Sequence, residues 1–336
     1  MNWRRFWAVL ICRNREFLRD RSTLTWNLLF PISLIAGFAF AFSGPGLDLY
    51  KVGVLGDVNV GPGSAFFSAR YIDFIPVHDL PVALRKVERH QLDMLIDPAG
   101  RRYWINDAAP KGYVLERVLR GAEVRDSSFR KQTVSGRGIR YVDWVMPGIL
   151  AMNMMFGCLF GVGYVIVRYR KNGMLKRLKA TPLTPLEFLT AQVTSRLWLT
   201  LTTTVVVFVG TDQFIGFPMH GSYLDLFVVF AVGAISLISL GLIVAARTTS
   251  EELAAGLLNL LSWPMTFLSG VWFSLEGVHP FLQQCAQLAP LTHIIDAARA
   301  IILDGAGLGD VSIHLLALTV MSLGFMAVGA RLFRWE

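Results

Sequence analysis

Residues 22–47, 144–167, 226–246 and 253–275 contain no Asp, Glu, Lys or Arg, and 311–330 breaks its apolar run only with His314. Each is long enough to form a helix of about 20 residues across about 30 Å of hydrocarbon. A sixth apolar run, LWLTLTTTVVVFVGT, lies between Arg196 and Asp212. An arginine near the end of a span can snorkel to the interface, so these two residues are expected to mark the ends of that helix. The pattern predicts a polytopic α-helical membrane protein with six transmembrane helices, at 22–47, 144–167, 191–214, 224–246, 253–275 and 311–331.

Between the runs the periodicity changes. Residues 3–18 space Trp3, Phe6, Trp7, Leu10, Ile11, Phe17 and Leu18 by threes and fours among arginines, which predicts an amphipathic helix over residues 1–21 lying on a membrane surface. Residues 48–143 alternate short apolar runs with charged turns and read as a small α/β domain inserted between helices 1 and 2. YKVGVLGD, YIDFIPV, LDMLID and RRYWIND are its predicted strands. DLPVALRKVERHQ, with Asp79 as cap and Pro81 in its first turn, and PKGYVLERVLRGAEV are its predicted helices. Its aromatics Tyr71, Tyr103, Trp104 and Tyr113 suit either substrate binding or, as the plainer expectation, the core of the domain or a dimer contact. Residues 276–310 are too polar and too broken, by Pro280 and Pro290, for a clean span, and predict two short helices tucked into the outer half of the membrane.

Composition agrees with the membrane reading: 54 % of the 336 residues are hydrophobic and only 17 % charged. The arginines and lysines set the orientation. Residues 1–21 carry six (Arg4, Arg5, Arg13, Arg15, Arg19, Arg21) and 168–190 another six, whereas 213–224 carry none and 276–310 only Arg299. By the positive-inside rule both termini and the 168–190 segment are cytoplasmic, and 48–143 is extracytoplasmic. The net charge of +8 therefore reflects topology, not nucleic-acid binding. AFA at 39–41 looks like a signal-peptide cleavage site, but the apolar run before it is longer than a signal peptide's, so retention as a first helix is expected. Cys12, Cys158 and Cys285 are scattered and imply no disulfide framework.

Catalytic motifs are missing. The sequence has no GxxxxGK[ST] phosphate loop, GxGxxG, HExxH, GxSxG or paired-cysteine metal site, so neither an enzymatic centre nor ATP hydrolysis by this chain is expected. Polar groups inside the apolar runs are the remaining suspects. Asn27, Asn153 and Asn259 face either a pathway or a partner helix, and Pro31 and Pro264 are expected to kink helices 1 and 5. His293, Asp296 and Arg299 recur every three residues and suit either a proton relay or, as the plainer expectation, together with Pro290, the positioning of the outer helices at the membrane surface.

The segment YRKNGMLKRLKATPLTPLEF, residues 169–188, places Met174, Leu175 and Leu178 on one face of a short helix with Lys176, Arg177 and Lys179 around it. Such a helix either binds anionic lipid or docks a soluble partner. GMLKRLKATPLTPLEFLTAQ resembles the segment after helix 2 in permeases of type 2 ATP-binding-cassette exporters. FLSGVWFSLEGVHPFLQQCAQLAPLTHIIDAARAIIL resembles their helix 5 to helix 6 region. The resemblance implies a half-transporter that pairs with a second permease, as homodimer or heterodimer, and with separate ATPase subunits that bind ATP and Mg. In that family the short helix couples to the ATPase, which places coupling at Gly173, Met174, Leu175, Lys176, Arg177, Leu178, Thr181 and Pro182. Many members carry acids just before the glycine, where this chain has Tyr169, Arg170, Lys171 and Asn172. The competing readings are a non-transporting ATPase partner, regulatory or lipid-handling, and a membrane-embedded enzyme. The family also implies a bacterial inner membrane.

Overall fold

The computed structural model describes residues 3–41, 50–56, 66–67, 69, 71–89, 91–107, 109–122, 129–134, 141–275 and 279–332. Positions 42–49, which include the end of the expected first span and the start of the expected α/β domain, lie outside the described residues, as do 276–278 of the expected outer segment. The chain divides into two compact units, Met1–Ala41 with Tyr141–Glu336, and Phe42–Arg140.

The helical unit opens with α1 (Trp3–Arg19) and α2 (Arg21–Ala41). The amphipathic helix α1 buries Phe6 and Leu10 against Ala191 and leaves Trp3, Trp7, Ile11 and Leu18 exposed.

The second unit is a five-stranded sheet in the order β2-β1-β3-β4-β5, from β1 (Tyr50–Leu55), β2 (Ile72–Val77), β3 (Met94–Asp97), β4 (Arg102–Asn106) and β5 (Arg130–Val134). Only β3 and β4 pair antiparallel. Helix α3 (Leu80–Glu88) contributes Ala83 and Val87 to a core with Leu95 and Trp104, and α4 (Pro110–Ala122) contributes Leu115 and Leu119 to one with Val52, Ile96 and Tyr103. The strand residues alternate between these two cores, so a helix covers each face. Tyr103 and Trp104 are buried in them, whereas Tyr71 and Tyr113 are exposed and join neither. Asp79 stands at the cap position of α3, yet its side chain makes no capping bond. Strand β5 was not expected: RKQTV has one apolar residue and no alternation, as suits a polar edge strand paired on one side.

The helical unit resumes with α5 (Tyr141–Leu159), which runs through a π-helical turn (Phe160–Tyr164) into α6 (Val165–Lys171). Then come α7 (Met174–Lys179), α8 (Pro185–Ile215), α9 (Tyr223–Arg247), α10 (Glu251–Leu268), α11 (Pro280–Gln287), α12 (Pro290–Asp304) and α13 (Ser312–Leu332). Among the described residues four stretches are long and apolar enough to cross a membrane: Tyr141–Lys171, Glu187–Ile215, Tyr223–Arg247 and Ser312–Leu332. The described apolar part of α2, Leu24–Phe38, is shorter. Helix α10 stops at Leu268, well before the expected 275, because Ser269 closes it and Gly270 turns the chain at φ 71°.

Local chemistry explains the helix starts. Thr184 and Glu187 form a reciprocal capping box behind Pro185, so T-P-L-E launches α8, and Ser222 and Ser250 cap α9 and α10. Close packing rests on small residues. A Cβ on Gly163 would stand 3.0 Å from Leu258 Cδ2 and 3.1 Å from the Gly241 carbonyl oxygen, so the π-helical turn lies directly against α9 and α10.

Candidate functional site

The start of the basic stretch, at Arg168, Arg170 and Lys171, is tied into the fold at each charge. Arg170 Nη1 donates to the carbonyls of Ala245, at 2.9 Å, and Thr248, and Nη2 to that of Ala246 at 3.3 Å. Those carbonyls end α9, where a cation meets both unpaired acceptors and the negative end of the helix dipole. Lys171 lies 3.5 Å from Glu251 and 3.7 Å from Glu252 at the start of α10. Arg168 pairs with Glu16 at 2.8 Å, and Arg13 reaches both Glu16 and the Tyr169 hydroxyl at 2.7 Å, joining α6 to α1. Burial would raise the Glu16 carboxyl; the Tyr169 hydroxyl and the Arg13 and Arg168 charges outweigh it and hold the carboxyl below its ordinary value.

Gly173 then takes φ 70°, a left-handed conformation that suits glycine, and breaks α6 from α7. On α7 Leu175 is fully buried, Met174 and Leu178 are half-buried, and Lys176 and Arg177 are exposed without an ion pair among the described residues. Thr181 donates to the Leu178 carbonyl at 2.6 Å, and the exposed Pro182 accepts from Arg5 of α1. The stretch is thus braced by α1, α9 and α10, and its unspent charge is the outward face of α7.

A second site lies inside the helical unit. Asn27, Asn153, Gly157, Arg196, Leu199, Thr200, Thr203 and Phe17 surround a small cavity, and Asn153 Nδ2 donates to the Asn27 carbonyl at 3.4 Å. Two of the three suspected asparagines therefore meet, while Asn259 and Pro264 are exposed on α10. Arg196 does not mark the end of its helix. It sits about three turns inside α8 and is only 8 % exposed. Gly157 and Gly161 make room for it, Phe17 faces its guanidinium at 5.4 Å, and its Nε has no hydrogen-bond partner. Asp212 does close α8, its side chain accepting from the Phe217 amide at 3.0 Å.

The third group, on α12, divides between two neighbours. Arg299 donates to the carbonyls of Trp144, at 3.1 Å, and Gly270, at 2.7 Å, and lies over the Trp144 ring at 3.7 Å. His293 turns instead to His314 of α13, with Nδ1 atoms 3.1 Å apart, and to the Gln287 carbonyl. Pro290 opens α12, and Asp296 makes no ion pair among the described residues. These groups join helices and converge on no shared point.

The ABC-2 type transporter family matches residues 115–303, more than half of the chain. The chain belongs to this family. It is similar to the probable multidrug ABC transporter permease YbhR of Escherichia coli (strain K12), 25 % identical over 58 % of this chain and 53 % of that protein. It is also similar to the inner membrane transport permease YhhJ of the same strain, 24 % identical over 56 % of this chain and 51 % of the relative. The chain thus spans about half the length of these relatives. A longer likeness is to the probable multidrug ABC transporter permease YbhS of that strain, 21 % identical over 91 % of this chain and 90 % of that protein.

The ABC-2 match includes α7, Asn153, Arg196 and the α12 group, whereas α1 and Asn27 precede it. Sequence reasoning missed Arg13, Glu16, Arg168 and Arg170 as fold contacts. Glu16 was a usable signal, as a lone acid three residues after Arg13 on a basic helix. The carbonyls that hold Arg170 leave no trace in residue types. The apolar helices and the family together make this a multi-pass membrane protein.

Proposed function

We propose that the chain is the membrane-spanning permease subunit of an ATP-driven exporter, working with a second permease and with separate ATPase subunits that bind ATP and Mg. The observation that carries this reading is α7: a helix anchored through Leu175, braced on three sides, that presents Lys176 and Arg177 outward with no ion pair among the described residues. The names of the relatives support a permease role, and their multidrug labels support drug-like cargo.

In this proposal six helices span a bacterial inner membrane, α2, α5 with α6, α8, α9, α10 and α13, with both termini and α7 in the cytoplasm and the 48–143 domain outside. ATP draws the two ATPases together, and α7 moves with them. Because Arg170 ties α6 to the end of α9 and Lys171 ties it to the start of α10, displacement of α7 pulls on two spans at once. Differential affinity of the inward and outward states for cargo then sets direction.

The test is co-reconstitution in proteoliposomes with a candidate ATPase subunit. Permease-dependent ATP hydrolysis is expected, and Lys176→Glu with Arg177→Glu should lower it at least about tenfold while the melting temperature stays unchanged. Hydrolysis indifferent to the permease would refute the coupling.

A further inference from the structure

We propose that Arg196 is the floor of a binding site for an amphipathic anion, a phosphate or carboxylate head carried on an apolar tail. The guanidinium is more than nine-tenths buried, pairs with no acid and no hydrogen-bond acceptor among the described residues, and borders the cavity between α1, α2, α5 and α8. Around it stand groups that suit an oxyanion: the amide of Asn153, the side chain of Asn27 and the hydroxyl of Thr200. Thr203 and Thr204 donate to the Thr200 carbonyl, which leaves the Thr203 oxygen turned to its own helix while the guanidinium keeps its donors.

The charge count nearby points the same way. Arg13 reaches the Gly161 carbonyl at 3.4 Å, on the turn that also makes room for Arg196. Arg13 and Arg168 already share the acid Glu16, so that carboxylate is spent on two guanidiniums and supplies no counter-charge to Arg196. A buried charge without a counter-charge is unstable, and an incoming anion supplies one. The cavity measures about 10 Å³, room for one water-sized group, so in this proposal the head enters by one oxygen and its remainder stays outside the cavity. Helices α5 and α8, both long and apolar enough to cross a membrane, and the side chains of Phe17 and Leu199 form part of the walls, which selects an anion with apolar bulk over a free one.

The source of the head, an acidic lipid or a diffusible compound, is separable by experiment. The full-length protein in neutral maltoside is titrated with dodecyl phosphate, with dodecanol and with inorganic phosphate, and binding is read by thermal shift and calorimetry. Dodecyl phosphate should bind at least about tenfold more tightly than either control, and Arg196→Gln should remove that preference. Asn153→Asp keeps the test valid if Arg196→Gln misfolds: a carboxylate beside Arg196 should block dodecyl phosphate while raising the melting temperature of the empty protein. Native mass spectrometry from nanodiscs of phosphatidylcholine with phosphatidylglycerol then assigns the source. Retention of phosphatidylglycerol that depends on Arg196 identifies lipid, and its absence alongside dodecyl phosphate binding identifies a diffusible amphiphile. Equal binding of dodecyl phosphate and dodecanol, or unchanged dodecyl phosphate binding in both variants, would show a merely hydrated guanidinium and overturn the proposal. The assay reads binding alone, so its outcome is independent of the transport reading.

Discussion

Replacing Arg170 with alanine separates a residue that holds the fold from one that touches a partner. The side chain donates to three carbonyls, of Ala245, Ala246 and Thr248, at the end of α9. A hydrogen bond to a charged group contributes roughly 1.5–3 kcal/mol, but neighbouring bonds are not additive, so the three count for less than their sum even though truncation leaves buried carbonyls of Ala245 and Ala246 unpaired. A cation at a helix C-terminus adds about 0.3–1 kcal/mol. The combined effect of Arg170→Ala is roughly 2–4 kcal/mol, which corresponds to a fall of roughly 4–16 °C in apparent melting temperature for a unit of this size. Lysine offers one point charge in place of the planar fork, so Arg170→Lys should lie between alanine and wild type. Fluorescence-monitored melting in detergent, beside ATPase binding at a temperature where both proteins are folded, reads the two effects apart. An unchanged melting temperature with lost ATPase binding would refute the argument and move Arg170 to the partner interface.

Gly163→Ala places a methyl 3.0 Å from Leu258 and 3.1 Å from the Gly241 carbonyl, an overpacking that costs about 1–3 kcal/mol; Gly210→Ala, with nothing within 4 Å, should hold or raise the melting temperature through helix propensity of about 1 kcal/mol. Equal shifts for the two would contradict the close approach of the π-helical turn to α9. In the sheet unit, burial would raise the Glu116 carboxyl, but bonds from Lys131 and Tyr103, with the charges of Lys131 and Arg120, hold it below its ordinary value. Its contribution, about 1–2 kcal/mol, is therefore complete above the unfolded carboxylate range and lost as pH falls through the lower folded value. Against Glu116→Gln, the wild-type advantage in resistance of this unit to an acid-active protease should be full at about pH 6 and shrink toward pH 3; a constant offset would contradict it.

Helix ends were legible where hydropathy alone decides them, as in α9 and α13, whose observed ends fall within a residue or so of the expected bounds. The start of α8 was not read: the helix was expected from 191, whereas the capping box of Thr184 and Glu187 launches it at Pro185, within the stretch expected to be a connecting segment. Nor was the end of α10: FLSGVWF is as apolar as a helix, and the stop comes from Gly270 turning left-handed while its carbonyl is held by Arg299 from α12. At the candidate site, the amphipathic pattern of α7 was readable, but sequence could not tell that Leu175 is a core residue while Leu178 is half-exposed. Arg196 misled for a similar reason. Its distance from the nearest charge suggested a helix end, and only tertiary packing reveals Gly157 and Gly161 making space for it within the bundle. Residue type reports what a side chain prefers, whereas its partners depend on helices far away in sequence.

The docking of α7 is best tested by photo-crosslinking. A benzophenone amino acid placed in turn at Lys176, Leu178 and Trp263 is irradiated in cells that also make the ATPase. The account predicts ATPase adducts from positions 176 and 178 and none from 263, which is exposed on α10 away from the basic stretch. Adducts only to lipid at 176 and 178 would make α7 a membrane-surface helix and contradict the coupling role.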